Sequence, residues 1–107
     1  MKKIYNKLVR DNIINIIESA GKTCSYRIMD DKEYLDSLNK KLIEEMNEYQ
    51  EEYSIEELAD LQEVILAILN AKGISLEEFN KIRQAKADKN GYYNKKIMLI
   101  DVTKKDE

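Results

Sequence analysis

The stretch KLIEEMNEYQEEYSIEELAD, residues 41–60, places glutamates where an amphipathic helix usually carries leucine. A helix is predicted to start after Asp30, which has capping-box-like spacing to Glu33, and to run to about Glu52. At roughly 100° per residue, Glu45 falls inside its apolar arc, Glu48 lies on the flank and Glu44 points to the opposite side. The arc itself consists of Leu35, Leu38, Leu42, Met46 and Tyr49.

The second half of the stretch repeats this pattern on a further predicted helix. Ser54 and Glu57 have the spacing of a capping box, and Gly73 limits the helix at its other end. Glu57 falls inside the apolar arc and Asp60 lies on its flank, whereas Glu56 and Glu63 point elsewhere. This arc consists of Leu58, Leu61, Val64, Ile65 and Ile68.

Only Tyr53 and Ser54 separate the two predicted helices, so they should form an antiparallel hairpin. At about 1.5 Å per residue, Glu48 lies level with Glu57, and Glu45 lies level with Asp60 one turn deeper. Carboxylates removed from water take up protons or bind cations. The hairpin therefore predicts a site for a hard divalent ion, with Mg²⁺ favoured where phosphates complete the coordination shell. A plainer interpretation is that these acids are ordinary helix formers, since Glu57 also suits a cap.

The rest of the chain predicts a mainly α fold with one domain over residues 1–107. Helices are expected from about Lys7 to Ala20 and from Ser75 to near Asn90-Gly91. Two short β-strands are expected over residues 25–29 and 96–102, which are rich in β-formers. Residues 103–107 should form a frayed tail.

Composition excludes several classes of function. The chain has no histidine, which excludes histidine-based catalysis, and a single cysteine, Cys24, which suits a reducing cytoplasm. A net charge of −3 argues against binding polymeric nucleic acid. No apolar run approaches the roughly 20 residues of a membrane span, and no signal peptide is evident, so a cytoplasmic protein is expected.

Four segments resemble one family, the all-α nucleoside triphosphate pyrophosphohydrolases of the MazG-like group. Residues 44–48 and 57–60 match its E-E-x-x-E and E-x-x-D motifs. Residues 7–11, K-L-V-R-D, and residues 90–97, with their glycine-aromatic-basic order, resemble a short branch labelled phosphoribosyl-ATP pyrophosphohydrolase-like. The resemblance spans nearly the whole chain.

The resemblance implies a four-helix bundle and Mg²⁺-dependent cleavage of a nucleotide between its α- and β-phosphates. Mn²⁺ is a possible substitute for Mg²⁺. The implied metal ligands are Glu45, Glu48, Glu57 and Asp60, and the implied catalytic acids are Glu44, Glu45 and Glu48. Because histidine is absent, a carboxylate is the expected proton acceptor.

Phosphates also need cationic partners. Arg10 is a candidate from the K-L-V-R-D match, although such a residue alone more often forms a surface ion pair. Lys41 lies one turn before Glu45 on the same side of its helix, where it could bind a phosphate or merely pair with the acid. On the last predicted helix Lys86 and Lys89 fall on the inner face marked by Phe79 and Ile82, and Arg83 flanks that face. Tyr92 is a candidate for stacking on a base. These lysines could equally snorkel along apolar surface, and Tyr92 could pack on the hairpin.

The segment 64–69, VILAIL, is apolar nearly all round its helix, which predicts a homodimer or homotetramer with this helix near the interface. Three functions are compatible with these observations. The first is hydrolysis of a standard or damaged nucleoside triphosphate in nucleotide-pool house-cleaning, and the second is hydrolysis of phosphoribosyl-ATP. The third is a non-catalytic acidic helical module that binds a protein.

Overall fold

The computed structural model describes residues 1–105 and contains four helices. They are α1 (Ile13–Ser19), α2 (Asp31–Glu52), α3 (Ile55–Ala71) and α4 (Leu76–Asn90). The mainly α prediction is confirmed, and so are the bounds predicted for the last three helices. None of the helices in this part of the chain is both long and apolar enough to cross a membrane.

Local hydrogen bonds set the ends of the hairpin helices. The Asp30 carboxylate accepts from the Glu33 N–H at 2.8 Å at the start of α2. Ser54 Oγ accepts from the Glu57 N–H at 3.3 Å at the start of α3. Between them Tyr53 has a φ of 55°, a left-handed conformation that ends α2. Its ring lies edge-on to that of Tyr49, with 5.7 Å between centroids.

The first helix is shorter than predicted. Residues 7–12 are not helical, and α1 begins only after Asn12. Asn12 itself makes no side-chain cap hydrogen bond, so the start of this helix lacks the cap that begins α2 and α3. The segment before α1 is instead tied to the hairpin by side-chain ion pairs of Lys7 and Arg10.

Both strand predictions are wrong for the described residues, in which no strand forms. Tyr26 and Ile28 are 65% and 88% exposed, and Ile97 to Ile100 are 74–82% exposed. β-Propensity reflects the fit of a side chain to a half-buried pleated surface, and neither segment has such a surface. Of the predicted tail, residues 106 and 107 lie outside the described part of the chain.

The chain divides into two compact units, residues 1–75 and the residues from Leu76 onward. The expectation of a single domain stays a prediction. In the second unit, Gln84 Nε2 donates to Asp88 Oδ1 at 3.0 Å and to the Tyr92 hydroxyl at 3.1 Å, which folds the residues after α4 back onto it.

In the first unit, α2 packs against α3. Its core is small: Leu38 from α2 is 3% exposed and Val64 from α3 is 8% exposed. Met46 and Leu58, predicted in the buried arcs, are 48% and 39% exposed. Within the described residues, the single chain therefore buries fully only one apolar residue of each predicted arc. The third buried residue is the charged Glu45, which belongs to the candidate site described next.

Candidate metal centre

Carboxylates from both hairpin helices meet at one place. Oxygens of Glu45 on α2 and of Glu57 and Asp60 on α3 all lie within 4.8 Å of one another. A second group on α2, formed by Glu44, Glu45 and Glu48, meets the same limit. Glu45 belongs to both groups, so it joins them into one cluster of five carboxylates, called here the acidic cluster: Glu44, Glu45, Glu48, Glu57 and Asp60.

Glu45 is the buried member of the acidic cluster, with 7% of the residue exposed. Within residues 1–105 its Oε2 atom has no hydrogen-bond partner, and neither has the buried Oε2 atom of Glu57. Burying a carboxylate oxygen without a partner is costly. A shared divalent cation is a ligand that would satisfy both oxygens at once, and oxygen donors suit a hard ion such as Mg²⁺.

The electrostatics of the acidic cluster agree with its crowding. Burial raises the pKa of the Glu45 carboxyl, and the nearby charge of Glu48 raises it further, whereas Lys41 opposes the change. Desolvation also raises the pKa of Glu57, with the charges of Glu48 and Asp60 acting in the same direction. These two groups hold protons more tightly than ordinary glutamates, which is the behaviour of desolvated carboxylates surrounded by like charges.

Glu44 does not point away from the other acids, and the helical-wheel prediction for it is wrong. Its Oε1 lies 3.2 Å from Lys41 Nζ and 3.4 Å from Lys7 Nζ. Partial burial disfavours its charge, but the hydrogen bonds and charges of Lys41 and Lys7 outweigh burial and hold the Glu44 pKa below its usual value. Glu44 is therefore an ionised, paired carboxylate beside the buried Glu45.

Two of the predicted phosphate-binding cations lie at the acidic cluster. Arg10 Nη2 is 2.7 Å from Asp60 Oδ1. Lys41 Nζ is 3.7 Å from Glu45 Oε1, in addition to its contact with Glu44. Each cation touches a carboxylate of the acidic cluster, so positive and negative groups alternate around it.

A cavity of about 480 Å³ adjoins this arrangement within the first unit. Its polar lining includes Arg10, Lys41, Glu45 and Asp60. Apolar side chains form the remaining walls, among them Ile13, Leu38, Val64 and Ala67. The volume falls within the roughly 300–1,000 Å³ of small-molecule sites, and apolar walls with a few convergent polar groups are typical of them.

The other predicted substrate-binding residues lie in the second unit. Arg83, Lys86 and Lys89 lie on α4, and Tyr92, which follows it, is 63% exposed. Of the two residues that mark the inner face expected for α4, Phe79 is partly buried and Ile82 is 56% exposed. A role for these four residues in substrate binding stays a prediction.

The sequence interpretation missed several residues at the site, and Glu63, which was expected to point elsewhere, lines the cavity. Lys7 contacts Glu44, and it could have been found from its position three residues before Arg10 in the same K-L-V-R-D segment. Tyr34 lines the cavity, and its spacing of one helical turn before Leu38 places it on the same face of α2.

Known proteins provide no match to this chain. No family model, no curated protein and no solved structure matches it. The inference of function therefore rests on the residues and on their arrangement in the first unit.

Proposed function

We propose that this chain is a Mg²⁺-dependent nucleotide pyrophosphohydrolase of the all-α type. It would cleave a nucleoside triphosphate between the α- and β-phosphates and release a monophosphate and pyrophosphate. The observation that carries the proposal is the buried Glu45, which has an unpartnered oxygen and whose carboxylate lies within 4.8 Å of those of Glu57 and Asp60 on the neighbouring helix. The resemblance of residues 44–48 and 57–60 to the E-E-x-x-E and E-x-x-D motifs supports the same function.

The cavity supports a nucleotide over a metal ion alone. Arg10 and Lys41 give it two cations suited to phosphate oxygens. Its apolar walls begin directly beside these groups and can hold the part of the substrate that carries no charge. A purely structural acidic cluster could use both cations as counter-charges, but it would not need the cavity.

Each carboxylate then has a role that its position permits. Glu45, Glu48, Glu57 and Asp60 would hold Mg²⁺, which when bound supplies charge neutralisation of the phosphates and activation of water. Glu44 and Glu48 flank Glu45 with carboxylate oxygens within 4.8 Å of it, so either is placed to accept a proton from the attacking water. Lys41 orients Glu44 through their 3.2 Å contact.

We also propose that the active form is a homodimer or homotetramer in the cytoplasm, built as a bundle around the hairpin. Residues 65–69 of α3 are only partly buried in the single chain. Small domains bury a modest share of their surface, and a second copy would cover this face. Light scattering after size-exclusion chromatography checks the assembly, and a monomer at micromolar concentration would contradict it.

The test of the activity is product analysis. The protein is incubated with Mg²⁺ and a panel of NTPs, dNTPs and phosphoribosyl-ATP, and the products are separated by ion-exchange chromatography. Monophosphate and pyrophosphate should appear with the wild type and be absent with Glu48→Gln. The control Glu56→Gln changes the same charge at an exposed position of α3 and should retain activity.

The panel also separates the competing functions. Turnover confined to phosphoribosyl-ATP would assign the chain to that narrower reaction. No turnover of any member, with no effect of Mg²⁺ on thermal stability, would overturn the proposal in favour of a protein-binding module.

A further inference from the structure

Arg10 holds an unusual position relative to the acidic cluster. Its guanidinium contacts Asp60 at 2.7 Å, and the same Asp60 belongs to the group of three carboxylates whose oxygens converge on one point. Arg10 also lines the cavity beside that group. One side chain is thus within reach both of a predicted metal ligand and of the space predicted for the substrate.

From this geometry we infer that Arg10 changes partners: it neutralises Asp60 before metal binds, and it binds a substrate phosphate once the metal has taken Asp60. The inference rests on the proposed function and deepens it. It makes Arg10 a competitor of the metal ion in the free protein and a ligand of the substrate in the complex.

The first step follows from charge. A divalent cation shared by Glu45, Glu57 and Asp60 lies within a few ångströms of any guanidinium still bound to Asp60. Like charges at that range repel strongly in a partly desolvated site. Asp60 cannot bind the metal ion and the Arg10 guanidinium equally well at the same time. Metal binding would therefore weaken the contact between Asp60 and Arg10.

The second step follows from exposure and shape. The Arg10 side chain is 59% exposed, so it can leave Asp60 without disturbing the core. Lys41 is 19% exposed and is held by both Glu44 and Glu45, so it is a fixed cation. The guanidinium fork matches two phosphate oxygens at once, which a lysine cannot do. Arg10 is therefore the cation suited to move, and Lys41 the one suited to stay.

The experiment begins with metal affinity in the absence of nucleotide. Mn²⁺ binding is measured from the loss of the free-ion electron paramagnetic resonance signal for the wild type and for Arg10→Gln. Removing the competing charge should tighten Mn²⁺ binding about tenfold, and the difference should shrink as salt is added. Equal or weaker Mn²⁺ binding by Arg10→Gln would overturn the inference, because Arg10 would then only orient Asp60.

Two further variants make the comparison specific. Arg27→Gln removes the same charge from a residue that pairs with Glu33 at 2.6 Å and lies outside the cavity lining. It should leave Mn²⁺ affinity unchanged, and an equal tightening there would overturn the inference. Arg10→Lys keeps the charge but loses the fork, so its Mn²⁺ affinity should stay close to that of the wild type.

The substrate half is measured by turnover at saturating Mn²⁺. Arg10→Gln should raise KM for the best nucleotide by about tenfold or more, since a charge-assisted phosphate contact is lost. The same variant then binds metal more tightly and substrate more weakly, and a merely structural role would not produce these opposite changes. An unchanged KM would overturn the inference that Arg10 binds a substrate phosphate. If no nucleotide is turned over at all, the proposed function fails, while the Mn²⁺ comparison still decides whether Arg10 competes with metal.

Discussion

Replacing Glu45 with glutamine should have opposite effects on stability in the absence and in the presence of metal. Without metal, the wild type buries a carboxylate with one unpartnered oxygen among like charges. An unsatisfied buried polar atom costs about 1–3 kcal/mol. Glutamine removes the charge and offers an N–H donor to Glu48, so Glu45→Gln should stabilise the metal-free protein.

The size of the effect can be worked out from the contacts. The substitution loses the ion pair with Lys41, which at 3.7 Å is long and keeps Glu44 as an alternative partner for the lysine. Such a helix pair is worth about 0.5 kcal/mol or less. The net gain should therefore be about 1 kcal/mol, which corresponds to a rise in Tm of about 4 °C for a domain of this size.

With saturating Mg²⁺ the wild type should instead be more stable than Glu45→Gln. A ligand at a hundred times its Kd stabilises the folded state by about 2.7 kcal/mol. Only the wild type should gain the full stabilisation by Mg²⁺, because Glu45→Gln lacks one of the proposed metal ligands. Thermal unfolding followed by circular dichroism, once in EDTA and once in Mg²⁺, measures both differences.

The control is Glu51→Gln, an exposed change of the same charge on the same helix. It should stay within about 0.5 kcal/mol of the wild type and keep the full response to Mg²⁺. A Glu45→Gln protein that is less stable than the wild type in EDTA would refute the reasoning about the buried carboxylate. One that gains as much from Mg²⁺ as the wild type does would refute the metal site.

Three more outcomes are expected. In EDTA the free energy of unfolding should fall as pH rises from about 4.3, the pKa of glutamate in the unfolded chain, through the raised pKa values of Glu45 and Glu57. The reason is that the folded protein binds more protons than the unfolded chain in this pH range. Urea titrations at a series of pH values measure this free energy, and a rise with pH in this range would contradict the prediction. Leu38→Ala should cost about 2–5 kcal/mol by urea unfolding, whereas Ile43→Ala, at a residue 59% exposed, should cost far less; equal losses would mean that Leu38 is not the core. Ser54→Ala should cost about 1 kcal/mol through the lost cap of α3, and no loss in the same assay would contradict the capping role.

The hairpin is predictable from the sequence because its signals are local. Asp30 and Ser54 each accept a hydrogen bond from the backbone three residues later, as their spacing predicts. Two capped helices with a two-residue connection leave little choice of register. The meeting of Glu45 with Asp60 follows from that register, which is why the amino-acid sequence alone is enough to locate an acidic site.

The wrong predictions fall where local signals are ambiguous or incomplete. No side-chain cap marks the start of α1, so the sequence carries no local signal that this helix begins after Asn12. A helical wheel gives the direction of Cβ and ignores the reach of a long side chain, so it places Glu44 too far from Glu45. Residues 25–29 and 96–102 have strand-like composition, but a strand also needs a partner, and composition does not supply one.

Under the proposed function, the glutamate at position 45 exchanges stability for a metal-binding site. A leucine at position 45 would extend the small core of Leu38 and Val64, whereas the carboxylate weakens it. That weakening is reversed only by a ligand that binds the folded hairpin, because the carboxylates of Glu45 and Asp60 are held together only when α2 and α3 are packed. If the acidic cluster binds metal as proposed, metal binding and folding of the hairpin are coupled. The metal-free protein should then unfold at a lower temperature than the metal-bound one, by a margin that grows with the affinity for the ion.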